Sequence, residues 1–433
     1  MRNPLPRSAT DDTTNSRSPE GDAPRLTGRR GFLKTGAVLA AAGPAFAEGA
    51  PTPPQPAKKR VLLYVGTYSS PQGPEGSAGH GEGIYLFEMN PSTGALAKRK
   101  VFPSDSNPSC LAFDPSRTHL YSANETSTFD ASGSGSVSAF AVDRATGDLR
   151  LLNTVSSGGA GPCHLSVHPS GRYVLVANYH GGTIAALPIR DGGELGSATG
   201  VKKGEGTPGP QHAATAPPGS FAISGHETPH AHMIESDPSG RFVLASDLGL
   251  DRVNIWRLDL DSGTLSANDP AFVALPPGDG PRHFAFHPHG PWFYCLQEEA
   301  STLVTFQWDP KTGTLTPKQT VSTLPKGFAG TDFTSEIVVS PDGRFVYAAN
   351  RLHDSIAWFS VGKTGTLTLA GEAWTRGDYP RSFTIDPGGS FLYCCNQRGD
   401  AIAAFRIDRQ TGALTFTGQY TPVGTPAYIL FLT

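Results

Sequence analysis

Charge, helical period and long apolar runs are all scarce in this chain of 433 residues. Charged residues make up only 17%, and Lys+Arg (35) nearly balance Asp+Glu (38), for a net of −3. The sequence holds neither a Lys/Arg stripe nor an RNA-binding signature, so nucleic acid is not an expected partner. No long amphipathic pattern of helical period is present, which argues against a helical bundle. The one leader-like apolar stretch is short and broken by Gly and Pro, so stable membrane insertion is not expected either. Cysteine is sparse: five residues, Cys110, Cys163, Cys295, Cys394 and Cys395, an odd number with two adjacent. All stand in strand-like stretches, which argues for free buried thiols rather than a disulfide framework. What is abundant is Gly (51) and Pro (38). That is the composition of a turn-rich, all-β chain.

The first sixty residues differ from the rest. Residues 1–26 are polar and without period, the pattern of a disordered leader. "GRRGFLKTGAVLAAAGPAFAE" follows, in which Arg29-Arg30 and the residues after them read as a twin-arginine export signal. Ala45-Phe46-Ala47 supplies a small-x-small cleavage site. The expectation is a leader and signal over residues 1–47, handled by the twin-arginine translocation machinery, and a Pro-rich linker over 48–60. The mature chain would be periplasmic or extracellular. Twin-arginine substrates fold before export, which suits unpaired thiols.

From residue 61 onward one phrase recurs: "LAFDPSRTHLYSANE", "LSVHPSGRYVLVANY", "IESDPSGRFVLASDL", "FAFHPHGPWFYCLQE", "IVVSPDGRFVYAANR" and "FTIDPGGSFLYCCNQ". Each is an alternating strand, a turn and a second strand. The anchoring prolines are Pro115, Pro169, Pro238, Pro288, Pro341 and Pro387, spaced by 54, 69, 50, 53 and 46 residues. A third strand such as "VNIWRLD" or "IAAFRID" follows, then a turn of the type "TGTL" or "TGAL" and a fourth strand. Four antiparallel strands at a period near fifty make a propeller blade. Six phrases leave a seventh blade split between "VLLYVGTY", "GIYLFEMN" and "TGALAKRKV" near the start and "PAYILFLT" at the end. The reading is a seven-bladed propeller over 61–433, closed by pairing of its terminal strands, with no open edge. The long interval holds a Pro/Gly/Ala-rich insertion at 206–227 that belongs over one face.

Counting back from the prolines aligns the blades. Six back stand Ser109, Cys163, His232, Arg282, Ser335 and Arg381; five back stand Cys110, His164, Met233, His283, Glu336 and Ser382. The second strand ends at Glu125, Tyr179, Leu248, Glu298, Arg351 and Gln397. In an antiparallel hairpin these positions share one end, so they surround one mouth of the central channel. Their charges differ from blade to blade, which repetition for folding does not require and a concave site does. His168 and His287 precede turn prolines and read as structural, and Asp247 reads as turn-fixing. His230-Ala231-His232 places two imidazoles as a metal pair would, but no acidic ligands stand at a set spacing, and no metal is expected.

"PHAHMIESDPSGRFVLASDLGLDRV", "GPRHFAFHPHGPWFYCLQE", "SEIVVSPDGRFVYAANR" and the opening "VGTYSS" with "GIYLFEMNPSTGAL" resemble the seven-bladed propeller lactonase family. That family includes propeller-type 6-phosphogluconolactonases and the fungal carboxymuconate lactonizing enzyme. The resemblance spans about 61–433; the export signal and the 206–227 insertion are additions to it. It implies hydrolysis of a sugar lactone without a cofactor, by a chain expected to act as a monomer. The histidine, two arginines and glutamate proposed for the muconate enzyme fall on His232, Arg282, Arg351 and Glu298. On this resemblance Glu298 or His232 activates water, while Arg282 and Arg351 hold a substrate anion and neutralise the tetrahedral intermediate. His230, Arg381, Glu336 and His164 are candidate substrate contacts. Export points away from a phosphorylated substrate, since sugar phosphates are cytoplasmic. A non-catalytic binding propeller and a lactone-forming cycloisomerase remain the alternatives.

Overall fold

The computed structural model describes residues 60–74, 77–222 and 225–433. The leader and signal expected over 1–47, and the linker up to residue 59, lie outside the described residues. From residue 61 the chain forms seven four-stranded antiparallel sheets arranged as blades. The blade that follows the insertion is representative. Its strands are Ala231–Ser236, Val243–Asp247, Arg252–Leu258 and Leu265–Ala274, paired in chain order from the channel outward. Blades are numbered here from the one that holds both chain ends, so this is blade 4.

Closure is by strand pairing. Pro426–Leu432 runs antiparallel to Val61–Thr67, with Leu63 opposite Phe431 and Val65 opposite Ile429. The last strand of the chain thereby becomes the innermost strand of blade 1, in the order Pro426–Leu432, Val61–Thr67, Gly83–Met89, Leu96–Pro103. Both ends of the propeller are held by one ladder, and Val61–Thr67 is paired on both sides.

The core lies between blades. Blades 4 and 5 share a cluster of Met233, Phe242, Leu244, Val253, Phe284, Phe293 and Phe306, all buried. A polar lock recurs beside these contacts. Tyr64, Tyr121, Tyr294, Tyr347 and Tyr393, three residues before the end of their second strands, donate to the carbonyls of Gly147, Gly193, Gly365, Gly412 and Gly94 at 2.7–3.1 Å. These glycines belong to the outer turn of the next blade. Gly365 has φ +77, and a Cβ there would meet the Trp292 ring at 2.3 Å. The glycine of the "TG" turn is therefore required twice, by backbone conformation and by close approach. Blades 3 and 4 carry Leu175 and Leu244 at the tyrosine position, both buried. All five cysteines are free and buried.

Candidate active site

Each inner strand breaks register near its start. The shifts fall between Pro108 and Cys110, Pro162 and His164, Ala231 and Met233, Pro281 and Phe284, Thr334 and Ile337, and Pro380 and Ser382. A bulge takes its residue out of the ladder and re-aims the side chain. Here it releases Ser109, Cys163, His232, Arg282, Ser335 and Arg381, the six-back positions of the repeat. The end of each second strand lies beside them, because Pro281 pairs with Gln297 and Thr334 with Asn350, next to Glu298 and Arg351.

Arg282, Glu298 and Arg351 come together at this mouth. Glu298 Oε2 lies 2.9 Å from Arg282 Nε and 2.7 Å from Arg351 Nη2. The contact with Arg282 Nε is ionic rather than an aligned hydrogen bond. Arg282, 2% exposed, also donates through Nη1 to the Ser335 carbonyl. Arg351 donates to the carbonyls of Phe333 and Thr334 and, at 3.4 Å, to the Tyr379 hydroxyl. Burial and the neighbouring charge of Arg351 pull the guanidinium of Arg282 below its ordinary value.

His232 stands beside this group, packed edge-on to Tyr179 (ring centroids 5.4 Å) and His283 (5.1 Å). Burial, then the charge of Arg282, hold its pKa well below the ordinary histidine value, so the imidazole is neutral. The neutral imidazole has a lone pair free to accept a proton, and a substrate anion that offsets the guanidinium charges would strengthen it as a base. Cys163 Sγ donates to the His232 carbonyl at 3.2 Å, and burial raises this thiol well above its usual range. It is a packing group, not a nucleophile.

The remaining predicted residues divide by location. Arg381 lies near Glu125, with Nη2 3.6 Å from Oε1, and its guanidinium covers the Tyr68 ring at 4.9 Å. Glu125 also accepts from Tyr68 (2.8 Å) and Ser109 (2.6 Å). His230 stacks on Tyr179 at 4.3 Å, donates through Nδ1 to the Tyr179 carbonyl, and places Nε2 2.9 Å from Glu227. His164 and Glu336, one residue deeper than the bulge, line a cavity of about 470 Å³ whose other walls include the turn prolines Pro169, Pro238, Pro288 and Pro341. The structure thus places them toward the opposite face from the arginine cluster. Glu336 accepts from His283 Nδ1 at 2.9 Å and from the Ile337 amide. Asp247 fixes the turn as expected, accepting from the His230 and Leu250 amides. His168 and His287 bond the carbonyls of Gly240 and Gly343 in the next blade's turn. Among the described residues no group of three or more His, Cys, Asp or Glu side chains could hold a metal ion.

Two residues of the site escaped the repeat argument, Tyr379 and Tyr68, because both lie in loops outside the repeated phrase. A signal for Tyr379 did exist. The residue preceding the inner strand has a left-handed backbone in five blades: Asn107, Gly161, Gly280, Tyr379 and Thr425. A bulky tyrosine where sister blades with this backbone use Gly, Asn or Thr is an outlier that points to a task.

The insertion arches over the loops of this face. Gly209 bonds the Gly249 carbonyl, Thr215 bonds Asp279, the Pro218 carbonyl accepts from Gly330, and Phe221 bonds Thr331. It thereby connects blade 4 with the loops that lead into Arg282 and precede Ser335.

Residues 62–431 match the family described as Lactonase, 7-bladed beta-propeller. The chain is 34% identical over 374 residues to 6-phosphogluconolactonase of Bacillus subtilis, covering 86% of this chain and 99% of that one. Among solved structures it resembles a putative 6-phosphogluconolactonase of Bacteroides fragilis, with TM-score 0.76 and 32% identity over 87% of this chain and 99% of the other. The periplasmic gluconolactonase of Pseudomonas aeruginosa is similar to the same degree, with TM-score 0.75 and 30% identity over 86% and 99%.

Proposed function

As the chain belongs to the seven-bladed β-propeller lactonase family, we propose that it hydrolyses a sugar lactone at the mouth formed by His232, Arg282, Glu298 and Arg351. The observation that carries this reading is geometric: a strand bulge releases His232 at the mouth where two buried arginines share one carboxylate. His232 takes the proton of an attacking water as the hydroxyl adds to the lactone carbonyl. The developing oxyanion falls to Arg282 and Arg351, whose charges exceed what Glu298 alone offsets. The ring oxygen then leaves and recovers the proton from His232, giving the open hydroxy acid. Glu298, clamped by both guanidinium groups, serves to hold them in place. Arg381 and His230 flank the mouth as substrate contacts.

The twin-arginine motif supports an exported enzyme acting on an unphosphorylated aldonolactone, and the relative named as a periplasmic gluconolactonase fits that reading. The test is hydrolysis of glucono-δ-lactone and 6-phosphogluconolactone, corrected for spontaneous opening, by the wild type and by His232→Gln and Arg282→Ala. Loss of rate in both variants supports the lactonase and its site together. A folded wild type without rate above background on either lactone, yet turning over a muconate-like dicarboxylate, would favour the cycloisomerase. No turnover of any of these would favour a binding propeller.

A further inference from the structure

Blade 3 is incomplete at its rim. Its fourth strand is the two-residue Lys202–Lys203, where the other six blades have outer strands of 8 to 10 residues. The inner part of the blade 3–blade 4 junction is packed, by Leu175, Ala177, Ile184, Val243, Ala245 and Leu265 among others. Farther out, the missing strand leaves a slot of about 700 Å³.

The wall of this slot on blade 4 is chemically specific. Arg252, Asn254 and Trp256 alternate along one strand and therefore share one face, and all three line the slot. Arg252 Nε and Trp256 Nε1 are buried and without a hydrogen-bond partner. Two orphan donors four residues apart are an unusual arrangement for a face evolved only to pack. Arg252 covers the Phe272 ring at 4.7 Å, and Phe272 is 44% exposed. The slot floor is built of small residues, Ala231, Ala245, Ala267 and Ala271. Lys202 and Lys203 stand on the facing wall. Asp247 and Glu205 also line the slot, and their charges act on Arg252, which leaves the two lysines as the cations of the facing wall.

We propose that this slot binds an acidic oligosaccharide, a second site independent of the lactonase reading. Lys202 and Lys203, which line the slot, only donate, so the ligand must be rich in acceptors. The indole and Phe272 rings supply flat apolar surface against the C–H faces of sugar rings. Lys202 and Lys203 select for carboxylates on those rings. An elongated space between two blades suits a short chain of sugars rather than a compact metabolite.

The five tryptophans of the full chain permit a local readout. With ¹⁵N-labelled tryptophan, the indole signal of Trp256 is identified by its absence in Trp256→Phe. On titration with trigalacturonate it is expected to shift saturably, and maltotriose is expected to leave it in place. Lys202→Gln combined with Lys203→Gln, both in the short rim strand, should weaken binding at least tenfold without touching the core. Arg282→Ala at the channel mouth should leave the titration unchanged. Absence of a Trp256 shift with either sugar would overturn the site. An equal shift with maltotriose would overturn the acidic ligand class. Loss of the shift in Arg282→Ala would place the binding at the mouth and overturn the proposal.

Discussion

Arg351 reaches the hydroxyl of Tyr379 at 3.4 Å, and Tyr379 makes this contact from a left-handed backbone, φ +63. Its ring lies between two cations, Arg351 at 5.3 Å and Arg398 at 3.6 Å. The cost of a bulky residue in this conformation is about 1–3 kcal/mol, and such strain persists where surrounding contacts impose it. Those contacts include the Tyr379 amide, which donates to Asp354 at 2.8 Å. Arg351 is thus aimed from one side by Phe333 and Thr334 and from the other by Tyr379.

Tyr379→Phe keeps the ring and both cation contacts and removes only the hydroxyl. A hydrogen bond to a charged group contributes about 1.5–3 kcal/mol, so kcat/KM on the best lactone should fall by roughly 10- to 100-fold. The thermal midpoint should fall by only a few degrees. An unchanged kcat/KM would remove Tyr379 from the positioning of Arg351.

Glu298 offers a different balance. Glu298→Gln leaves Arg282 and Arg351 buried without their shared carboxylate. Breaking a buried pair in this way costs about 3–5 kcal/mol, so the variant should unfold at clearly lower temperature as well as lose activity. Adding Arg351→Met removes one of the uncompensated charges and should restore part of the midpoint while activity stays lost. If both single and double variants melted like the wild type, the clamp would not be a structural element.

The repeat made the blades legible because propeller physics leaves a local trace: alternation in the strands, glycine in the outer turns, and a proline-anchored turn at fixed distance from the channel. The same register brought His232, Arg282, Glu298 and Arg351 to one end of the strands before any contact was known. It did not separate the mouth from the channel interior. His164 and Glu336 are only one residue beyond Cys163 and Ser335, and a one-residue step across a bulge changes the direction of a side chain. Tyr379 and Tyr68 lay outside the repeated phrase, where no period assists. The short rim of blade 3 was hidden for a related reason, since the insertion follows directly and obscures where the fourth strand stops.

The channel interior should make stability depend on pH. Burial, then Glu336, raises Glu235 to about 7; burial, opposed by Arg282, raises Glu336 to about 7 as well. His164, held down at about 3 by burial and by His283, and His283 itself both face this pair as neutral groups. Arg381 also acts on Glu336. A carboxyl that binds its proton more tightly in the folded state does not penalise folding below its ordinary value of 4.5. The penalty grows as pH rises through 7. The thermal midpoint of the wild type should therefore decline from about pH 5 to about pH 8 more steeply than that of Glu235→Gln combined with Glu336→Gln. Parallel pH curves for the two proteins would show that these carboxyls titrate as they do in the unfolded chain.

The insertion is pinned at its end by His226, whose side chain is fully buried. Its Nε2 lies 3.1 Å from Asp251 and its Nδ1 3.8 Å from Glu299. Asp251 in turn accepts from the amides of Gly278 and Gly280, in the loop that leads into Arg282. The insertion and the mouth are therefore tied through one carboxylate, whereas the cores between blades contain none of these groups. His226→Gln removes a cation-capable ring from between two acids and should loosen the insertion while the blades stay packed. Phe221 is 75% exposed and is the one aromatic residue within 206–227, which makes it a defined site for chymotrypsin. Cleavage after Phe221 should be several-fold faster in His226→Gln, and KM for the lactone should rise more than kcat falls, because the groups that act on the carbonyl are untouched. Cleavage at the wild-type rate would mean that the Pro218 and Phe221 contacts to Gly330 and Thr331 hold the insertion without His226.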